Sequence, residues 1–363
     1  MSYSLEEFKG SPFLGDEMNE LLSSQFTVVT ASEKFISELP ECLSNLKESV
    51  KLKPCIVLKE ICELFMEAIL DFDIRSDDVF VCSLPKCGSS WMQTIVWLLT
   101  HDLNYEAIKK INRSNQVGDF DELLNGSAAK EISAKLLADN KSLSESDALK
   151  MGWNEVFKLL DEPRVIKTHY PAYFLPRQIW SKGARVIYVV RNPKDMAVSL
   201  YYMLRNFFLA DITIDDIVNG FTNETCCYSP HIDHALEFWR LRHLPNVLFV
   251  AYEDAVNHSF KTIKKVSEFL NCSYSDEQLN ELTEFVSFGN MKKIQSINRE
   301  ADVAEMERLR GKKRPDAEFT FLRKGKPGGY GDDLSAEHIK KLDSWIETEL
   351  HGTDFEFNMG KKS

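Results

Sequence analysis

Residues 77–97, DDVFVCSLPKCGSSWMQTIVW, set a lysine, a glycine and two serines between an apolar run and a helical one. Val79, Phe80 and Val81 have strand character, Pro85 and Gly88 break it, and Ser89 and Ser90 open a run with helical apolar spacing. Backbone N–H groups of residues 87–90 then converge from a helix N-terminus, whose dipole favours an anion. Ser89 and Ser90 add hydroxyl donors, and Gly88 allows close approach. Lys86 precedes the glycine, whereas a triphosphate loop of the GxxxxGK[ST] kind carries its lysine after one. Taken alone, the turn reads equally well as a capped strand–helix junction, and Trp91 as a core side chain. Cys87, beside Lys86 at a helix start, is expected to have a lowered thiol pKa and mild sensitivity to oxidants, protected by a bound nucleotide.

Ligands of open parallel sheets lie beyond the carboxyl ends of the strands. The next such ends carry Lys167-Thr168-His169, Arg191-Asn192-Pro193-Lys194 and Tyr252-Glu253-Asp254. Three of these four ends thus bring a cation or a histidine to one edge, in a chain of net charge −12. That pattern favours an anionic ligand met by locally gathered basic groups. His169 fits a general base near neutral pH, or else a capping histidine. The remaining histidines read as structural or solvated.

The elements behind these ends alternate. Strands are expected in PRVIKTHYP (163–171), ARVIYVV (184–190) and NVLFVA (246–251), each followed by helical spacing, as is the strand before Lys86. Four apolar, β-branched runs with intervening helices imply one α/β domain, a parallel sheet covered on both faces. Residues 1–50 are polar and weakly periodic and read as an N-terminal arm, with the main domain over 51–363. CIVLKEICELFMEAILDFDI (55–74) reads as an amphipathic helix, and 104–161 as a helix-prone surface excursion or lid. RLRGKKRP and RKGKPGGYG are basic and glycine-rich loop segments.

Composition excludes some functions. A chain with 44 basic and 56 acidic residues is a poor partner for nucleic acid or an anionic membrane surface. MSYSLEEFKG has neither the basic nor the apolar region of a signal peptide, and no apolar run approaches the length of a span. The eight cysteines form no CxxC pair and read as reduced thiols, which points to the cytoplasm.

The motifs LPKCGSSW, IKTHYP, YVVRNPKDMAVSLYYM, VLFVAYED, VSFGNMKK and FLRKGKPGG, in that order, resemble the signature segments of cytosolic sulfotransferases over about residues 70–350. These enzymes move a sulfuryl group from 3′-phosphoadenosine 5′-phosphosulfate (PAPS) to a hydroxyl or amine and release adenosine 3′,5′-bisphosphate (PAP). The resemblance implies a five-stranded parallel sheet and a cradle for the 5′-phosphosulfate. Lys86 is similar to the lysine at the bridging oxygen, with Cys87, Gly88, Ser89, Ser90 and Trp91 as the rest of the loop. Arg191 and Ser199 resemble the pair on the 3′-phosphate, Ser199 also counting with the catalytic group, and Arg323, Lys324 and Gly325 the late loop that completes that grip. Tyr252 and the stretch Val286, Ser287, Phe288 to Met291 resemble the adenine site. His169 resembles the catalytic base and Lys167 its transition-state partner.

The same resemblance implies a small acceptor, no metal and no nucleic-acid or membrane partner. Thr168, Tyr170 and Met203, with Phe174, Tyr201 and Tyr202, would border a largely apolar alcohol, phenol or steroid. Departures include Cys87-Gly88-Ser89-Ser90 for a common Ser-Gly-Thr-Thr, Val286 for a threonine, and Gly329-Tyr330 for Asp-Trp. The usual dimer motif is missing, so a monomer or weak dimer is expected. The longer arm and excursion are closer to insect members. The alternatives are a PAPS-dependent dehydratase of an allylic alcohol such as retinol, a nucleotide-binding protein without chemistry, or a P-loop kinase, which lacks its motif here.

Overall fold

The structure is a computed structural model and describes residues 3–46, 53–110, 118–121 and 127–358. A five-stranded parallel sheet runs in the order β5-β6-β4-β7-β8. Its strands are β4 (Val79–Ser83), β5 (Gly118–Asp119), β6 (Val165–Thr168), β7 (Arg185–Val190) and β8 (Val247–Ala251). Four are the apolar runs expected from the sequence. The fifth, two residues long, pairs Gly118 with Ile166 and Asp119 with Lys167.

The period of two divides the core between the faces. Val79, Val81, Ile187 and Val189 pack under the helix Ser89–Thr100, with its Met92, Ile95 and Val96. Phe80, Cys82, Val186 and Tyr188 face the other way, against Phe72, Ile232 and Phe238. Both faces are covered, so the strands carry no alternating polar residues.

Two sequence expectations are corrected. Residues 55–74 are not one helix: Cys55–Leu58 is strand β3, and the helix starts at Lys59 and ends at Leu70. Cys55, Ile56 and Val57 are all buried, a run with no helical period, and β3 pairs antiparallel with β2 (Phe26–Ala31). With β1 (Tyr3–Glu7) these strands form a second, three-stranded sheet, so the segment read as an arm supplies sheet and core.

The 104–161 segment is more than a surface excursion. Phe120, Trp153 and Phe157 are fully buried, and Trp153 lies 5.4 Å from Phe72 and 5.6 Å from Phe120 between ring centroids. Trp153 and Phe157 are four apart in the helix Glu145–Lys158, so they share one face, which closes the core beside β5. All eight cysteines are free thiols.

Trp153→Ala is expected to lower folding stability by about 3–5 kcal/mol, as large-to-small core changes do. Urea denaturation checks this; a loss of under about 1 kcal/mol would fit a solvated lid instead.

Candidate active site

After Ser83 the chain turns through Leu84–Gly88 into the helix Ser89–Thr100. Two positive backbone angles make the turn, φ +67° at Lys86 and +99° at Gly88. Glycine is needed at the second, because a Cβ there would lie 2.5 Å from Cδ2 of Tyr252. Ser89 is buried and Ser90 half-buried at the first helical turn. The Lys86 ammonium sits 3.8 Å from the centre of the Phe321 ring.

Arg191 follows β7 and closes the other side of the turn. Its Nη1–H donates to the Lys86 carbonyl at 2.8 Å, and its guanidinium lies 4.6 Å over the Tyr252 ring. Its Nε is buried without a hydrogen-bond partner among the described residues. Pro193 opens the next helix, capped by the Asn192 side chain, which accepts from the Lys194 N–H at 3.0 Å. That helix carries Ser199, half-buried. The Asn192 N–H donates to Glu253 at 2.9 Å, and burial pushes the Glu253 carboxyl up to about 7.

The residues expected at the adenine form a second group. The Trp91 indole N–H donates to the Val286 carbonyl at 2.9 Å, while the Val286 side chain is buried in the core. Ser287 precedes the short helix Phe288–Met291 without a side-chain cap bond, and Met291 is buried. The Phe288 ring lies against Gly325, at φ +62°, where a Cβ would clash with it. Next to that glycine, Arg323 stands 4.4 Å from the Tyr202 ring and pairs with Asp333 at 3.5 Å. Lys324 pairs with Asp332 at 2.9 Å and Asp333 at 3.2 Å. The Gly328 N–H donates to Asp195 at 2.6 Å, tying this late loop to the helix that starts at Pro193.

On the β6 side, His169 Nδ1 lies 2.6 Å from the Ser83 carbonyl. A carbonyl only accepts, so Nδ1 carries the hydrogen and Nε2 is the basic nitrogen of the neutral ring. Lys167 is buried and paired with Asp119 at 2.8 Å. The Thr168 hydroxyl oxygen accepts from the Tyr170 N–H at 3.1 Å. Tyr170 is fully buried, its hydroxyl without a partner among the described residues, and burial raises its pKa. Met203 packs half-buried beside Phe207, Phe319 and Val303.

The arrangement thus joins Lys86 with Arg191, Gly88 with Tyr252, Trp91 with Val286, Phe288 with Gly325, and His169 with the strand leading to the cradle. Tyr170 lies in the main core, and Met203 packs half-buried against both that core and the small cluster with Phe207. The expectation for Cys87 is overturned. Its thiol is buried against Met196, and burial pushes its pKa up to about 12 although Arg191 pulls the other way. A helix start lowers a thiol pKa only where the sulfur meets the field in reach of water. Asp119, Asp121 and Tyr228, around Lys167 and His169, are not among the residues expected at the site, and His234 is expected only as a structural or solvated histidine. Asp119 and Asp121 flank a phenylalanine at strand spacing, a local signal that does not name their distant partners.

The residues present fit an adenosine phosphosulfate: a backbone cradle a side chain would fill, an unpartnered buried guanidinium nitrogen, and a second basic loop. The sequence matches the family described as "Sulfotransferase domain" over residues 76–354, and the chain belongs to that family. It is 28% identical over 293 residues to luciferin sulfotransferase of Photinus pyralis, covering 80% of this chain and 76% of that protein. Sulfotransferase 1E1 of Bos taurus is 26% identical over 292 residues, covering 79% and 88%. Retinol dehydratase, solved with androsterone and PAP, shares the fold with a TM-score of 0.73 at 24% identity, over 99% of both chains. Mouse sulfotransferase SULT7A1, solved with PAP, aligns with a TM-score of 0.60 at 21% identity, over 82% and 94%. The protein is a PAPS-dependent sulfotransferase.

Gly88→Ala is expected to weaken PAP binding by at least about tenfold, since the side chain strains the turn and strikes Tyr252. Isothermal titration checks this; affinity within twofold of wild type would show that the turn does not hold the nucleotide.

Proposed function

We propose that this enzyme transfers the sulfuryl group of PAPS to the hydroxyl (or amine) of a small, largely apolar acceptor such as a phenol, steroid or other alcohol, with His169 as general base. The observation that carries this reading is the His169 Nδ1–Ser83 carbonyl contact at 2.6 Å. It leaves Nε2 to take the acceptor proton, and it ties the base to the strand that ends in the cradle. As the acceptor oxygen bonds to sulfur, the bond from sulfur to the bridging oxygen breaks and charge gathers on that oxygen. Lys86 and Lys167 stabilise that charge, and the N–H groups of residues 87–90 hold the phosphate. Arg191, Ser199 and Arg323 to Gly325 grip the 3′-phosphate, and Trp91, Tyr252 and Phe288 border the adenine. In this arrangement Lys86 leaves its Phe321 contact to reach the donor.

The aromatic surroundings support the acceptor class. Tyr228 faces the His169 ring edge-on at 5.4 Å, and Phe26 from β2 packs on Tyr228 at 5.9 Å. The Photinus pyralis relative is named for luciferin, and the dehydratase holds retinol or androsterone. Those names support a small molecule. The cytoplasm remains the proposed compartment, on the eight free thiols; no described helix is long and apolar enough to cross a membrane. A dehydratase reading is weaker, because Lys86 and His169 together suit net transfer.

His169→Asn is expected to cut kcat with labelled PAPS and 2-naphthol by about 10²–10⁴-fold, the usual range for a lost general base. PAP affinity should stay within about twofold. Wild-type turnover in this variant would refute the assigned base.

A further inference from the structure

His169 is held from several elements at once. Its backbone N–H donates to Asp121 Oδ2 at 2.7 Å, and its carbonyl accepts from His234 Nε2 at 3.0 Å. His234 is kept neutral, its pKa lowered to about 4 by burial, and the Tyr188 hydroxyl meets its Nδ1 at 2.9 Å. The other Asp121 oxygen accepts from the Tyr228 hydroxyl at 2.9 Å. Tyr228 in turn is fixed by its own N–H, which donates to Ile56 of β3 at 2.7 Å. Asp121 is therefore a bridge between the backbone of the base and the aromatic ring that faces it.

The carboxylate is placed by the short strand β5. The Asp121 N–H donates to Asp119 Oδ1 at 3.0 Å, while Asp119 Oδ2 pairs with Lys167. The Phe120 N–H donates to the Lys167 carbonyl at 3.1 Å, and its ring is buried in the core. Alternation then turns both carboxylates to the side of Lys167 and His169, away from the buried phenylalanine. Burial raises the Asp121 carboxyl pKa, with Lys167 opposing and Asp119 adding to the rise. A group held at such a cost beside the site calls for a role beyond filling space.

We propose that Asp121 is a positioning residue for sulfuryl transfer, fixing the backbone of His169 and the Tyr228 ring in one register so that Nε2 meets the acceptor hydroxyl. This rests on the reading of His169 as the base. Asp121 touches neither donor nor acceptor, so its loss acts on turnover and spares the nucleotide. Asparagine at this position still accepts the His169 N–H through its Oδ1 and donates to the Tyr228 oxygen. Alanine leaves both groups without a partner.

The test is steady-state kinetics of Asp121→Ala, Asp121→Asn and Tyr228→Phe with PAPS and 2-naphthol, beside His169→Asn, and PAP titration of each. Asp121→Ala is expected to lose at least about tenfold in kcat, the scale of a misplaced catalytic group. Asp121→Asn should recover part of that loss, with PAPS KM and PAP affinity within about twofold throughout. Tyr228→Phe, which deletes one hydroxyl, should show the same kcat-selective loss at about threefold or more, and it decides the matter if Asp121→Ala does not fold. Unchanged kcat in the folded variants, or PAP affinity falling in step with kcat, overturns the proposal. An inactive His169→Asn beside a fully active Asp121→Ala refutes the positioning role alone. An active His169→Asn refutes the base itself.

Discussion

The site depends on the parallel register of three neighbouring strands. β4 lies between β6 and β7, with Cys82 opposite Thr168 on one side and Tyr188 on the other. That register brings Ser83 level with His169, so a backbone carbonyl of one strand selects the imidazole tautomer on the next. One residue later β4 enters the turn, and the Lys86 carbonyl receives the guanidinium that follows β7. A one-residue slip on either side would separate His169 from the turn and reverse every buried face. His169, the turn and Arg191 are thus ordered by side-chain hydrogen bonds to main-chain carbonyls at and just beyond the end of β4.

The elements farther out supply what these strand ends lack. The late loop reaches the cradle because Asp195, in the first turn of the helix that starts at Pro193, accepts the Gly328 N–H. The Gly325–Phe288 contact then sets the basic residues Arg323 and Lys324 beside the helix Phe288–Met291. On the opposite edge the N-terminal sheet and the β5 segment enclose His169 with Phe26, Tyr228 and Asp121. The surroundings of the turn and those of His169 are therefore built from different parts of the chain.

The sheet and the cradle were legible in the sequence because both are local. Four apolar runs ending in Pro85, His169, Asn192-Pro193 and Tyr252 state the strands and their ends in consecutive letters. What escaped reading was long-range. A two-residue strand at Gly118 has no pattern of its own and exists through pairing with β6. Cys55–Leu58 merges into the helical spacing that follows, and only pairing with β2 makes it a strand. Cys87 misled because helix position was legible and burial was not. Asp121 escaped because its partners lie 48 and 107 residues away.

In the proposed function Lys86 to Trp91, Arg191 and Arg323 to Gly325 together hold an adenosine nucleotide bearing phosphates at both 3′ and 5′ positions, without a metal ion. Calorimetric titration in EDTA with PAP and with 5′-AMP tests it most directly. Saturable PAP binding at one site per chain is predicted, with 5′-AMP weaker by at least about a hundredfold, the scale of a lost charge-assisted phosphate grip. Equal affinity for the two nucleotides, or PAP binding that appears only when Mg²⁺ is restored, would refute this nucleotide site.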